Sequence, residues 1–197
     1  KIKARVFPAA GKIRPGKSER SVYIEKENIL KDKKILVVDD EPDILETIEE
    51  LLDQCSLDTA TNYEEGKQHL LQDPYDLAIL DIMGVRGYDL LEIARRKGIP
   101  ALMLTAHALS AENLKKSIQK GADSYIPKDK LADISTYVED ILSLKRRKKT
   151  GREPWFSRLK PFFDKTFRKG WREEDRHFWN ELAKKNGVSG EDSDRSV

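Results

Sequence analysis

Residues 31–149 predict an α/β fold, a doubly wound parallel sheet of five strands in the order 2-1-3-4-5. Three observations carry the expectation. Apolar runs recur without the polar alternation of a half-exposed strand: Ile35-Leu36-Val37-Val38, Leu77-Ala78-Ile79-Leu80 and Ala101-Leu102-Met103-Leu104. Such runs suit strands buried on both faces, as in a parallel sheet covered by helices. Segments with apolar residues at helical spacing lie between them. The runs also end on polar residues, Asp39-Asp40, Asp81 and Thr105, where a sheet of this kind opens its crevice.

In order, strand 34–39 leads to a helix near 42–54, with Pro42 in its first turn and Ile44, Leu45, Ile48, Leu51 and Leu52 on one face. A weaker strand, 57–61, precedes a helix near 63–72. Strand 76–81 precedes a helix near 87–97 that carries Leu90, Leu91, Ile93 and Ala94. Strand 100–104 leads through Thr105 to a helix near 110–120. Strand 123–127 leads to a last helix, 130–147. Strands alternating with helices argue for right-handed βαβ crossovers.

Charge divides the chain. Residues 31–144 hold 13 Lys/Arg against 23 Asp/Glu, a net of −10, while 1–30 carry a net of +5 and 145–197 a net of +7. Residues 1–30 read as an unassigned basic segment, a hairpin or a linker around a breaker-rich loop from Pro8 to Gly16. Residues 150–185 read as an amphipathic helical extension, with helices near 154–169 and 172–185 punctuated by Pro161 and Gly170. Residues 186–197 read as a polar, disordered tail. The single cysteine, Cys55, rules out an intrachain disulfide and reads as a small buried apolar residue near a helix end. No run approaches the length of a membrane span, and no signal peptide is visible.

The strand ends carry the chemistry. In the order 2-1-3-4-5, Asp39 and Asp40, Asp81, Thr105 and Lys128 come to one edge of the sheet. Crowded carboxylates repel one another and take up protons unless a cation joins them. Mg²⁺ prefers hard oxygen ligands and leaves positions for water or substrate. A carboxylate left ionised beside it can act as a nucleophile and form an aspartyl-phosphate. The Lys128 ammonium and the Thr105 hydroxyl would then spread the charge of the transferred group.

Residues 33–145 resemble the receiver domain of two-component response regulators. The matching text is Ile35-Leu36-Val37-Val38-Asp39-Asp40-Glu41-Pro42, Leu80-Asp81-Ile82-Met83, Met103-Leu104-Thr105-Ala106 and Gly121-Ala122-Asp123-Ser124-Tyr125-Ile126-Pro127-Lys128. The resemblance implies a flavodoxin-like fold in a bacterial, cytoplasmic protein. It implies that Asp81 is the phosphoacceptor and that Asp39, Asp40 and Asp81 hold Mg²⁺ with the Met83 backbone carbonyl. It further implies that Thr105 and Lys128 contact the phosphoryl group, and that Tyr125 is the aromatic that turns inward on switching. The donor would be a histidine kinase or a histidine phosphotransfer protein. The chain would be no conventional enzyme, only a phosphoacceptor that assists its own phosphorylation and dephosphorylation.

Three departures stand out. Gly84-Val85-Arg86-Gly87 is about two residues shorter than the family's loop after the phosphoacceptor. Pro127 precedes Lys128 and Asp129 follows it, so a trans bond is expected after the lysine. Met83 and His107 occupy the positions that tune hydrolysis, and apolar Met83 cannot orient a water, so slow self-dephosphorylation is expected.

The segment 155–182 holds eight of the fifteen aromatics and all three Trp. Trp155, Leu159, Phe162, Phe163 and Phe167 are expected either to pack on the receiver or second helix, or to anchor an effector protein or a second copy of the chain. Docking on an anionic membrane is another reading of the same segment. His69 and His177 lack metal-ligand spacing and read as surface or boundary residues. The expected output is protein–protein interaction or phosphorylation-dependent dimerisation. The alternatives are a DNA-binding transcriptional regulator using the C-terminal helices, and a non-switching scaffold. Recognition helices show polar residues to bases, and this segment is aromatic, which disfavours DNA.

Overall fold

The computed structural model describes residues 28–106, 109–146 and 154–186. The expectations for residues 1–27, for His107 and for the tail beyond 186 lie outside the described residues.

The chain runs β1 (Lys34–Val38), α1 (Pro42–Leu51), β2 (Ser56–Ala60), α2 (Tyr63–Gln72), β3 (Leu77–Asp81), α3 (Gly87–Arg96), β4 (Ala101–Thr105), α4 (Ala111–Gln119), β5 (Ser124–Pro127), a 3-10 segment (Lys128–Asp133), α5 (Ile134–Arg146), α6 (Pro154–Thr166) and α7 (Arg176–Asn186). The strands pair in parallel in the order β2-β1-β3-β4-β5, as expected. Every residue of β3 and β4 is buried, which accounts for their unbroken apolar text. Pro42 opens α1, where its missing N–H costs nothing. Side-chain oxygens of Asn62 and Ser110 accept from the third residue of α2 and α4 and define where those helices start.

The register positions the site. Val38 lies beside Leu80 and Asp81 beside Leu104, while Thr105 pairs with Pro127. The residues that follow β1, end β3 and β4, and follow β5 therefore meet at one edge.

The last helix of the core differs from the expected 130–147. It begins as the 3-10 segment, non-helical at Lys130, and becomes α-helical only at Ile134. This tight turn holds Lys128 at the carboxylates and buries Leu131 together. Pro161 lies inside α6, as the expected helix 154–169 implied, and the helix ends at Thr166, earlier than expected. Proline removes one helical hydrogen bond, but Trp155, Leu159 and Phe163 share a single buried face across it, and packing overrides the local cost. α7 starts at Arg176, later than expected, after a turn containing Glu173, Glu174 and Asp175.

The extension packs on the core. α6 lies against β5 and α5. Phe163 stacks on Phe167 at 5.3 Å between ring centroids, Phe156 on Trp179 at 6.1 Å, and Trp171 meets Trp179 edge-on at 4.8 Å. The Trp171 indole N–H donates to Asp164 at 3.0 Å. The inward packing expected of the segment is seen for Trp155, Leu159 and Phe163, while Phe162 and Phe167 are half-buried. Among the described residues the exposed large apolar side chains are Leu71 and Met83, neither in the extension.

Candidate functional site

Asp39 is fully buried and Asp81 nearly so, at 0% and 4% exposure, because the strands that present them are covered on both faces. The Lys128 ammonium sits between them. It lies 2.8 Å from Asp39 Oδ2, 3.1 Å from Asp81 Oδ1 and 2.7 Å from Glu41 Oε1. Burial works to lower the Lys128 pKa, but its hydrogen bonds with Asp39, Glu41 and Asp81 outweigh it and hold the ammonium above its ordinary value. Burial pushes the Asp39 carboxyl up, against the pull of Lys128 and of the Glu41 N–H that donates to it at 3.1 Å.

The Asp81 carboxylate is fixed from both sides. The backbone N–H groups of Met83 and Gly84 donate to Oδ2 at 2.8 and 3.1 Å, while Oδ1 faces Lys128. The shortened loop after β3 shapes this contact. A Cβ at Gly87 would overlap the Asp81 carbonyl, and one at Gly84 would overlap the Asp40 carboxylate. Arg86 adopts a left-handed conformation, φ 54°, to start α3, and its guanidinium stacks 4.0 Å over the Tyr63 ring. The result is an open cleft of about 500 Å³ lined by Asp40, Glu41, Asp81, Met83, Gly84, Ala106 and Lys128.

Thr105 ends β4 one residue past Leu104, the register partner of Asp81. Its hydroxyl is buried and makes no hydrogen bond of full geometry. It still stands close enough to the Tyr125 phenol to oppose the upward push that burial gives that group. Tyr125 is fully buried, and its ring lies 6.2 Å from that of Phe163.

The predicted residues Asp39, Asp81 and Lys128 are thus brought together, with Asp40 and Met83 on the cleft wall and Thr105 at the end of the neighbouring strand. No peptide bond among the described residues is cis, in line with the trans expectation after Lys128. Glu41 was quoted in the sequence without a role; its ion pair with Lys128 gives it one. Cys55 corrects the sequence reading. It is only half-buried, and its thiol donates to the Leu30 carbonyl at 3.3 Å. His69 is a boundary residue whose Nδ1 lies 3.0 Å from the Tyr75 hydroxyl, and His177 is exposed.

Among the described residues no three His, Cys, Asp or Glu side chains converge to ligate an ion. Lys128 takes the space between Asp39 and Asp81, and Asp40 turns toward Gly84. The donor set nevertheless fits a hard divalent cation. It is all oxygen, and the carboxylates of Asp39, Asp40, Glu41 and Asp81 outnumber the single ammonium among them.

Comparison with known proteins points one way. The family described as the response regulator receiver domain matches residues 35–139. The response regulator protein PilR of Pseudomonas aeruginosa is 33% identical over 102 residues, which cover 49% of this chain and 23% of PilR. The transcriptional regulatory protein DltR of Streptococcus agalactiae is 36% identical over 106 residues, covering 51% of this chain and 47% of DltR. The chain thus spans less than half the length of either relative. Among solved structures, a CheY-like response regulator receiver domain protein from Methanospirillum hungatei superposes with a TM-score of 0.55 at 28% identity, covering 60% of this chain and 100% of that one. The BeF3-activated DrrB receiver domain superposes with a TM-score of 0.52 at 26% identity, covering 57% of this chain and 98% of that one. The family match ends before α6 begins.

Proposed function

The chain belongs to the response regulator receiver domain family, and from that premise we propose that it accepts a phosphoryl group on Asp81 from a phosphohistidine donor and works in the cytoplasm as a two-component response regulator. The observation that carries this reading is the Lys128 ammonium 3.1 Å from Asp81 Oδ1, with the other carboxylate oxygen held by two loop N–H groups.

In the transfer, a carboxylate oxygen of Asp81 attacks phosphorus, the phosphorus–nitrogen bond of the donor breaks, and the imidazole leaves and takes up a proton. Asp81 is oriented for attack before the donor arrives, because its backbone donors and Lys128 fix it. Lys128 lies where charge develops on the incoming phosphoryl oxygens. The Thr105 hydroxyl, unsatisfied in this state, gains an acceptor there. Asp39, Asp40, Asp81 and the Met83 carbonyl would hold Mg²⁺, which supplies positive charge to offset the carboxylates and the phosphoryl group. Glu41 draws Lys128 toward Asp39 and keeps the ammonium in the cleft.

Intact mass after incubation with acetyl phosphate, with and without Mg²⁺, tests the reading. The expected result is a Mg²⁺-dependent gain of one phosphoryl group that Asp81→Asn abolishes. An equal gain in the variant, or none in the parent chain, would overturn it.

The proposed output is a protein contact switched by this modification. A DNA-binding output draws support from the name of DltR, a transcriptional regulatory protein. The aromatic face of α6 is turned inward, however, and offers nothing to base edges.

A further inference from the structure

Glu41 holds the N-cap position of α1, yet its side chain makes no capping hydrogen bond. A residue there commonly gives its side chain to the first helical N–H groups. Pro42 follows, which confines Glu41 to extended backbone, φ −95° and ψ 106°. The Glu41 N–H donates to Asp39 Oδ1 at 3.1 Å. Its carboxylate turns to the cleft, where Oε1 lies 2.7 Å from the Lys128 ammonium, the shortest of the three ion pairs that ammonium makes with Asp39, Glu41 and Asp81. Glu41 stands at the mouth of the cleft, with 55% of its side chain exposed, and Asp39 at the floor with none. Lys128 spans the two.

The carboxylates of the cleft divide three and one. Asp39, Asp40 and Asp81 are those assigned to Mg²⁺, and Glu41 is the fourth. The ammonium occupies the space between Asp39 and Asp81. It cannot share those two carboxylates with a divalent cation without strong repulsion. Lys128 therefore withdraws from them when the cation arrives. Its side chain is only 8% exposed, and a charge so placed is costly without a partner. Glu41 is the carboxylate it already touches outside the metal set. An ammonium kept there stays beside Asp81, where a phosphoryl group needs it. One lost to solvent leaves the transfer without that charge.

We propose that Glu41 is a positioning residue that retains the Lys128 ammonium in the cleft when Mg²⁺ displaces it from Asp39 and Asp81, so that metal and ammonium meet the phosphoryl group together. The inference rests on the reading of Asp39, Asp40 and Asp81 as the Mg²⁺ carboxylates. Glu41 takes no part in holding the metal and acts through Lys128.

Amine labelling reads the position of Lys128 without any phosphodonor. The full chain and its Glu41→Gln variant are treated with sulfosuccinimidyl acetate, with no Mg²⁺ and with Mg²⁺ at a level that calorimetric titration shows to be saturating. Peptide mass then gives the acetylation rate at each lysine, with Lys97 and Lys120, which precede β4 and β5, as references. In the parent chain Lys128 is expected to stay protected in both conditions. In Glu41→Gln, Mg²⁺ is expected to raise its labelling about tenfold or more, the factor that one lost hydrogen bond to a charged group carries, while the reference lysines do not change. Initial phosphorylation by acetyl phosphate at saturating Mg²⁺ is expected to fall in Glu41→Gln about as far as in Lys128→Met, and no further when the two are combined. A Mg²⁺-dependent rise of equal size in the parent chain, or none in Glu41→Gln with Mg²⁺ bound, overturns the role of Glu41. So do additive losses in the double variant, and so does loss of Mg²⁺ binding in Glu41→Gln, which would make Glu41 a ligand of the metal. A parent chain that binds no Mg²⁺ overturns the metal reading and this role with it.

Discussion

A methyl group at Gly84 has no room, because the Asp40 carboxylate lies where it would point. Gly84→Ala must displace either the loop or Asp40, and Asp40 is the softer of the two. The expected outcome is a folded protein whose Mg²⁺ affinity falls about tenfold or more, the scale on which supporting contacts act at metal sites; calorimetric titration checks it, and unchanged affinity would remove Asp40 from the ligand set. Cys55 makes a different case. Burial, then the charges of Asp53 and Asp76, push its thiol up to about 11. The thiolate is the reactive form, so alkylation by iodoacetamide at pH 8 should run about a hundredfold slower than at an ordinary thiol, with the rate climbing steadily past pH 9. A plateau near pH 9 would contradict the half-buried, hydrogen-bonded thiol. Asp39, Asp81, Thr105 and Lys128 were legible in the sequence because each sits at a strand end, and parallel register turns that position into proximity. The roles of Glu41 and Gly84 were not. Each depends on where one side chain points across the cleft, which no periodicity records.

At the scale of elements, the loop from Ile82 to Arg86 carries the chain's own character. It is short, so it places two N–H groups on Asp81 and needs a left-handed Arg86 to begin α3. A non-glycine residue in that conformation costs about 1 kcal/mol, which the stacking on Tyr63 and the ion pair with Asp89 at 2.6 Å offset. The same geometry leaves Met83 at 65% exposure on the rim of the cleft. A thioether there holds no water in line with a phosphoryl group. Met83→Asn is accordingly expected to shorten the lifetime of the phosphorylated form severalfold, on the order of one added hydrogen bond to the attacking water, about 1 kcal/mol; the decay of the mass-shifted species measures it, and an equal or longer lifetime would contradict the role given to Met83. The strands and most helices followed from apolar spacing. The 3-10 segment before α5 did not, because it is set by Lys128 reaching the carboxylates and Leu131 being buried rather than by any periodicity.

Over the whole molecule, charge and edge protection belong together. The sequence showed an acidic centre between basic ends and an aromatic segment open to several readings. It did not show which, since Phe163 and Tyr125 are 38 positions apart by their numbering and neither has a pattern that names the other. The sheet order resolves it: β5 is an edge, edges need cover, and the only segment beyond α5 with an apolar face among the described residues is the hairpin that lies there. The proposed function as a whole depends on the chemistry of Asp81. The most direct measurement is therefore chemical mapping of the modified residue. The full chain is incubated with acetyl phosphate and Mg²⁺, trapped with borohydride, which reduces an acyl phosphate to the alcohol, and digested for peptide mass analysis. The expected result is reduction at Asp81 alone, dependent on Mg²⁺. Reduction at another carboxylate, or at none while Mg²⁺ is present, would contradict the account.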